Sequence, residues 1–135
     1  MRTREQIRSE FALGEVKEFE ESDVNFIVGI PTMIINNGLG QTLAFLLSKK
    51  QDDSKEKFDK HIFCYNIIRD WLTDKVYGVD GLRGEEIKND REFLKNIAKL
   101  DIRNYTDAQS ETIEFFSWVK RYARAFQKKK KNKED

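Results

Sequence analysis

The sequence predicts an all-α protein, a compact bundle of about five or six helices, and three observations lead there. Along most of the chain apolar residues recur at steps of three and four, the spacing of one helical face. Charged residues form 36% of the chain against 39% hydrophobic, a balance that suits helices with solvated ionic faces. Seven glycines and one proline are too few for the turns of a barrel or sandwich of short strands. At 135 residues the chain has the size of a single domain with a real core. It is read as a helical domain over 1–127 followed by a basic, disordered tail over 128–135.

Thr3-Arg4-Glu5-Gln6 has the form of a capping box and opens a first helix to about Glu21, with Ile7, Phe11 and Val16 on its apolar side. Ser22 or Asp23 caps a second helix through Val24, Ile27, Val28, Ile30, Met33, Ile34 and Ile35, apolar on nearly every side and so expected at the centre. Pro31 bends it or sets its register. Asn36-Asn37-Gly38 is a stop signal, with Gly38 free to adopt a positive φ, and residues 39–50 restart as a third helix. Gln51 to Ser54 reads as a polar loop. Phe58, Ile62, Tyr65, Ile68 and Leu72 share one face of a fourth helix from Lys55 to about Lys75. The glycines at 78, 81 and 84 mark a loop, Glu85 to Leu100 holds one helix or two short ones, and Thr106-Asp107-Ala108-Gln109 caps a final helix to about Gln127.

Catalytic patterns are missing. His61 is the single histidine, so no triad can share work with a second one and no His-rich metal site can be built. Asp52-Asp53 and Glu85-Glu86 lie beside lysines without a third ligand at a convincing spacing, so neither metal nor cofactor is expected. The lone Cys64 falls among Ile62, Phe63, Tyr65 and Ile67, where a small core side chain fits. Gly38-Leu39-Gly40 follows a helix rather than a strand and lacks the remainder of a phosphate-binding loop. The Tyr77 to Gly84 connection offers Tyr77 and Arg83 as ligand contacts or is simply a connection. The acidic residues that follow Met1-Arg2-Thr3-Arg4 and the interruptions by Asn25, Gly29 and Pro31 leave no export signal or membrane span, so a cytoplasmic protein is expected.

The net charge of +1 hides an asymmetry. Glu15, Glu18, Glu20, Glu21 and Asp23 face only Lys17, whereas Lys120 to Lys133 holds eight basic residues and no acid. At roughly 100° per residue Lys120, Arg121, Arg124 and Lys128 fall within one arc about 100° wide. Phe115, Phe116, Trp118, Val119, Tyr122, Ala123 and Phe126 gather opposite as the packed face. Lys49 and Lys50 add positive charge at another helix C-terminus, where the dipole favours it. Such cations either keep the surface solvated or bind a nucleic-acid backbone. They lack interleaved exposed aromatics, so stacking on bases is not supported.

The string from Pro31 to Leu46, Pro-Thr-Met-Ile-Ile-Asn-Asn-Gly-Leu-Gly-Gln-Thr-Leu-Ala-Phe-Leu, followed by Lys49, resembles the small subunit of the Cmr complex, the type III-B CRISPR-Cas effector. Trp118-Val119-Lys120-Arg121-Tyr122-Ala123-Arg124-Ala125 supports the resemblance in the right order, while residues 51–105 add little. The resemblance implies a helical protein without enzymatic activity that stacks in several copies beside the repeated backbone subunit and other Cmr subunits. It also implies contact with CRISPR RNA and target RNA through matching cations, Lys49, Lys120, Arg121 and Arg124, with Lys50 and Lys128 as further candidates from the charge pattern. The motif glycines and apolar residues read as packing markers, Gly40 and Ala44 for close helix contact. The alternatives are a DNA-binding regulator using residues 39–50 as its recognition helix and a protein adaptor without a nucleic-acid role. The first is disfavoured because Leu43, Phe45, Leu46 and Leu47 would face the groove.

Overall fold

The computed structural model describes residues 1–50 and 58–129, and the described residues are helical and loop segments without strands. The helices are α1 (Arg4–Glu15), α2 (Glu21–Val28), α3 (Ile30–Asn37), α4 (Leu39–Ser48), α5 (Lys60–Leu72), α6 (Asp90–Lys99) and α7 (Ile102–Ala125). The expected loop at 51–54, the expected start of the fourth helix at Lys55, and the tail beyond Lys129 lie outside the described residues.

The first capping box forms as the sequence predicts: Thr3 accepts from the Gln6 amide while Gln6 accepts from the Thr3 amide. The helix it opens ends at Glu15, well before Glu21. Carboxylates crowd the stretch that follows, and a helix C-terminus disfavours them. The extended chain through Val16 also delivers Phe19 to the core, where its ring stacks on Phe58 at 4.8 Å and meets Phe63 at 5.1 Å. Helices α2 and α3 meet at Gly29 as one kinked rod. Pro31 sits in the first turn of α3 and has no N–H to give the preceding turn, so the rod breaks there. This rod is not buried on every side: Val24, Ile27, Ile30 and Ile34 are, whereas Ile35 is 65% exposed.

Three further boundaries move. Asp59 caps α5 by accepting from the His61 and Ile62 amides, which leaves Phe58 before the helix. Asn89 caps α6, so residues 85–88 precede it. Helix α7 begins at Ile102 because Asp101 accepts from the Asn104 amide, one turn ahead of the expected box. Thr106 is then inside the helix, its hydroxyl bonded back to the Ile102 carbonyl at 2.7 Å.

The loop between α5 and α6 is tied down from Thr73 to Glu85. Val79 donates to the Leu72 carbonyl and Gly84 to that of Thr73, while Val79 and Leu82 enter the core. Arg83, a candidate ligand contact, donates to the Gly78 carbonyl and pairs with Asp80. Arg4 of α1 reaches across to the Tyr77 carbonyl at 2.7 Å.

Helix α7 is the axis. Its 24 residues span roughly 36 Å. Helix α1 lies parallel to it, with Arg8 at Glu111 and Ser9 at Tyr122, while α2 and α3 line another side and α5 packs through Trp71 on Phe115, rings 5.2 Å apart. Helices α1, α5 and α7 meet at Glu111. Arg8 donates to both its carboxylate oxygens at 2.8 Å, Trp71 Nε1 donates at 3.1 Å, and Arg4 lies 3.3 Å away. The Arg8 and Glu111 side chains are only 12% and 11% exposed. Burial pushes the Glu111 carboxyl up, but the Arg8 hydrogen bond and the charges of Arg4 and Arg8 outweigh it and hold the group below its ordinary value.

Gly38 joins α3 to α4 with φ 86° and ψ 162°, a region open essentially to glycine. Its carbonyl accepts from the Thr42 amide and hydroxyl, and α7 satisfies the next two amides. Leu39 N–H donates to Gln109 at 3.0 Å and Gly40 N–H to the Tyr105 hydroxyl at 3.0 Å. A side chain at Gly40 would meet Tyr105 only at ordinary contact distance, and Ala44 is exposed, so neither is small for the sake of a close helix crossing.

Two stability outcomes follow from these junctions. Gly38→Ala should destabilise by about 1–3 kcal/mol with the fold retained, whereas Gly40→Ala should cost much less; urea unfolding of both checks the ordering. Glu111→Gln should cost about 3 kcal/mol near neutrality, since Arg8 is deprived of its main counter-charge in a mostly buried site. A depressed carboxyl adds stability that is present above its unfolded value, near 4.5, and is lost as pH falls through its folded value. The gap between wild type and Glu111→Gln should therefore close as the solution is acidified below that value, and a gap constant with pH would contradict the assignment.

Candidate nucleic-acid interface

The candidate cations divide between two supports. Lys120, Arg121, Arg124 and Lys128 belong to the end of α7 and the residues just after it, whereas Lys49 and Lys50 follow α4. The α7 group stands on a well-fixed base: Phe115, Phe116, Val119 and Ala123 are buried, Trp118 Nε1 donates to Glu5 at 2.9 Å, and the Tyr122 hydroxyl lies 2.5 Å from that of Ser9. Phe126 departs from the expected packed face and is 49% exposed. It closes a groove of about 650 Å³ with Leu13, Val16 and Ala125, rimmed by Lys17, Glu18 and Lys129.

The cations differ in how far they are committed. Arg121 and Arg124 are exposed and Lys120 is half-buried, and no ion pair or hydrogen bond from these side chains to another described residue is present. Lys128 is engaged: its amide donates to the Phe19 carbonyl at 2.9 Å and its ammonium to Glu20 at 3.1 Å. The acidic segment after α1 therefore lies beside the basic end of α7 within one molecule. Arg124 lines a surface cleft with Glu21 and Lys128, so its field is partly offset, and Arg121 stands freer.

Lys49 caps α4 and is exposed, its ammonium 5.9 Å from the centre of the Phe45 ring one turn back. Beside it three helices contribute rings. Phe26 of α2 lies 4.6 Å from His61 of α5, and Phe45 of α4 lies 6.0 Å from the same imidazole. Lys60 Nζ is 5.3 Å over the Phe26 ring. Sequence reasoning missed this grouping, since its members are far apart in the chain; the one local sign is Phe45 four residues before Lys49.

Among the described residues no three His, Cys, Asp or Glu side chains converge as metal ligands, and Asp52-Asp53 lies outside them. Cys64 is buried, as expected, and burial pushes its thiol up, away from the reactive thiolate. The first two amides of α4 are taken by Gln109 and Tyr105, so this helix N-terminus offers no anion site. Leu39, Leu43 and Leu46 of α4 are buried, so the face that this helix could offer to a DNA groove is Gln41, Ala44, Phe45 and Ser48, poor in base-reading side chains. Among the described residues no helix is long and apolar enough to cross a membrane.

Fold and surface together define a small all-helical protein with exposed cations at one end of its longest helix. The family model described as CRISPR-associated protein (Cas_Cmr5) matches residues 4–126. The chain belongs to that family, the small-subunit family of the type III-B Cmr complex, and is thereby a Cmr complex subunit.

Because Arg121 and Arg124 project from a helix anchored by its other face, exchanging both for Glu should change stability by no more than about 0.5 kcal/mol each. Thermal melts of wild type and double variant would check this, and a collapse of the fold would show that these side chains hold the structure together.

Proposed function

We propose that this subunit is non-catalytic and works in the cytoplasm, stacking with its own copies and with the repeated backbone subunit and gripping the guide–target RNA by its phosphates. The observation that carries the RNA contact is the pair Arg121 and Arg124, exposed and without an ion pair to another described residue, on a helix whose opposite face is locked by Trp118, Tyr122 and the Glu111 cluster. Lysine and arginine at such a surface bind phosphate and displace counterions without reading sequence, and base pairing to the guide supplies specificity. Lys120 and Lys49 flank the reading. Lys128 is the weaker candidate because Glu20 already holds it, and Lys50 follows Lys49. The half-exposed groove at Leu13, Val16, Ala125 and Phe126 supports the assembly role, being the kind of apolar surface a neighbouring subunit covers.

Target-RNA affinity over a salt series, in complexes reconstituted with wild-type subunit or with Arg121→Glu/Arg124→Glu, tests the RNA contact. The reversed complex should bind more weakly at low salt, by a similar factor for unrelated target sequences. The slope of log affinity against log salt should fall by roughly 0.7–0.9 for each phosphate that is no longer neutralised. Unchanged affinity and slope in a fully assembled complex would overturn the RNA contact, and failure to assemble would move these arginines to a protein interface.

A further inference from the structure

Phosphate binding by the cations leaves the rings of Phe26, Phe45 and His61, which lie with Lys60 beside Lys49, without a role. Phe45 is 37% exposed, although Leu39, Leu43 and Leu46 on the same helix are buried completely. Among the described residues its ring pairs with a single other ring, the His61 imidazole at 67°, and the ammonium of Lys49 lies over its face. A lysine stem is flexible and can leave a ring that it shades. The carboxylate beside the patch, Asp59, lies 3.4 Å from His61 Nδ1 and already accepts from two amides of α5, so it opposes the neighbouring lysines only in part.

We propose that this patch is a second nucleic-acid subsite, one that stacks an unpaired base of single-stranded RNA on Phe45, against His61, while Lys49 and Lys60 take the adjoining phosphates. An exposed ring beside ammonium groups is the pairing that single-strand binders use, because every base has a stacking face and every linkage a charge; here Phe45 is the exposed ring, and Phe26 and His61, both partly buried, back it. An apolar peptide would use the rings but gain nothing from the two ammonium groups, and duplex RNA would use the charges but keep its bases stacked internally. The inference rests on the reading of the chain as an RNA-contacting subunit and adds that it recognises an unpaired nucleotide away from the α7 cations.

The test is fluorescence anisotropy of the full-length chain at low salt, with a short mixed-sequence single-stranded RNA and an abasic oligomer of the same length. Phe45→Leu should weaken the RNA by about tenfold, within the range expected for one stacked base, and leave the abasic oligomer unchanged. Phe45→Trp should retain the wild-type preference for the oligomer with bases, which separates stacking from a general loss of fold. Arg121→Glu/Arg124→Glu should weaken both oligomers alike. Equal binding of both oligomers by wild type and Phe45→Leu overturns the subsite, and if the arginine variant still lowers both, the α7 contact survives alone. No binding by wild type even at millimolar concentration also overturns it and leaves the α7 reading to the reconstituted complex. A Phe45→Leu defect seen only in assembly of the complex reassigns the patch to a protein contact.

Discussion

The largely buried Glu111 carboxylate ties α1 and α5 to α7. A charge placed there would be costly alone, and it is tolerated because Arg8, Arg4 and Trp71 converge on it from α1 and α5. Arg4 also lies 5.5 Å over the Trp71 ring and holds the Tyr77 carbonyl, so the same cluster reaches the loop before α6. An ionic cluster of this kind is weak evidence of net stability compared with an apolar alternative. Its value is directional: a bidentate arginine accepts one rotation of α7 about its axis, and that rotation decides which α7 residues face water.

Once α7 is set, the two strings that mark the family become parts of one arrangement. The turn at Gly38 opens α4, and α7 completes its N-terminus through Tyr105 and Gln109, side chains that follow Gly38 by more than sixty positions. The second string, 118–125, alternates residues that hold α1 with residues that point outward: Trp118 and Tyr122 bind Glu5 and Ser9, while Arg121 and Arg124 stay exposed. A helix that must carry both tasks cannot separate them in sequence, because neighbouring residues point about 100° apart. The aromatic members keep the shape and the cations are free for a ligand.

The parts legible from sequence are those that depend on a few neighbouring residues. The Thr3 box, the stop at Gly38 and the apolar face of α5 all belong to this kind; the first two appear in the structure, and the α5 face appears from Ile62 to Leu72, without Phe58. The helix ends that moved were decided by competition. Thr106 and Asp101 are both good caps; the earlier one accepts from the Asn104 amide, and Gln109, which would complete a box with Thr106, accepts from the α4 amide instead. Val16 to Glu20 leaves the helix to bury Phe19, a tertiary gain invisible to local pattern. The expected lack of exposed aromatics among the cations is met neither at the end of α7, where Phe126 is exposed between Arg124 and Lys128, nor beside Lys49. Phe26, Phe45 and His61 come from three helices, and one-dimensional spacing cannot bring them together.

The charge asymmetry likewise changes meaning when folded. As two separated blocks, the acidic and basic ends suggest contacts between molecules. In the fold, Glu20 holds Lys128, and Glu21 shares a cleft with Arg124. The acidic segment thus offsets the positive field at the outer end of α7 and leaves its least-compensated part around Arg121, one turn inward. Surface charges more than a Debye length apart, about 8 Å at physiological salt, scarcely sense each other, so this local compensation matters more than the net charge. A polyanion that met α7 would find the turn of Lys120 and Arg121 less offset than Lys128, which Glu20 holds. That turn is also bonded to α1 through Trp118 and Tyr122, so a phosphate bound there would meet cations whose backbone is already in place and whose ordering costs little.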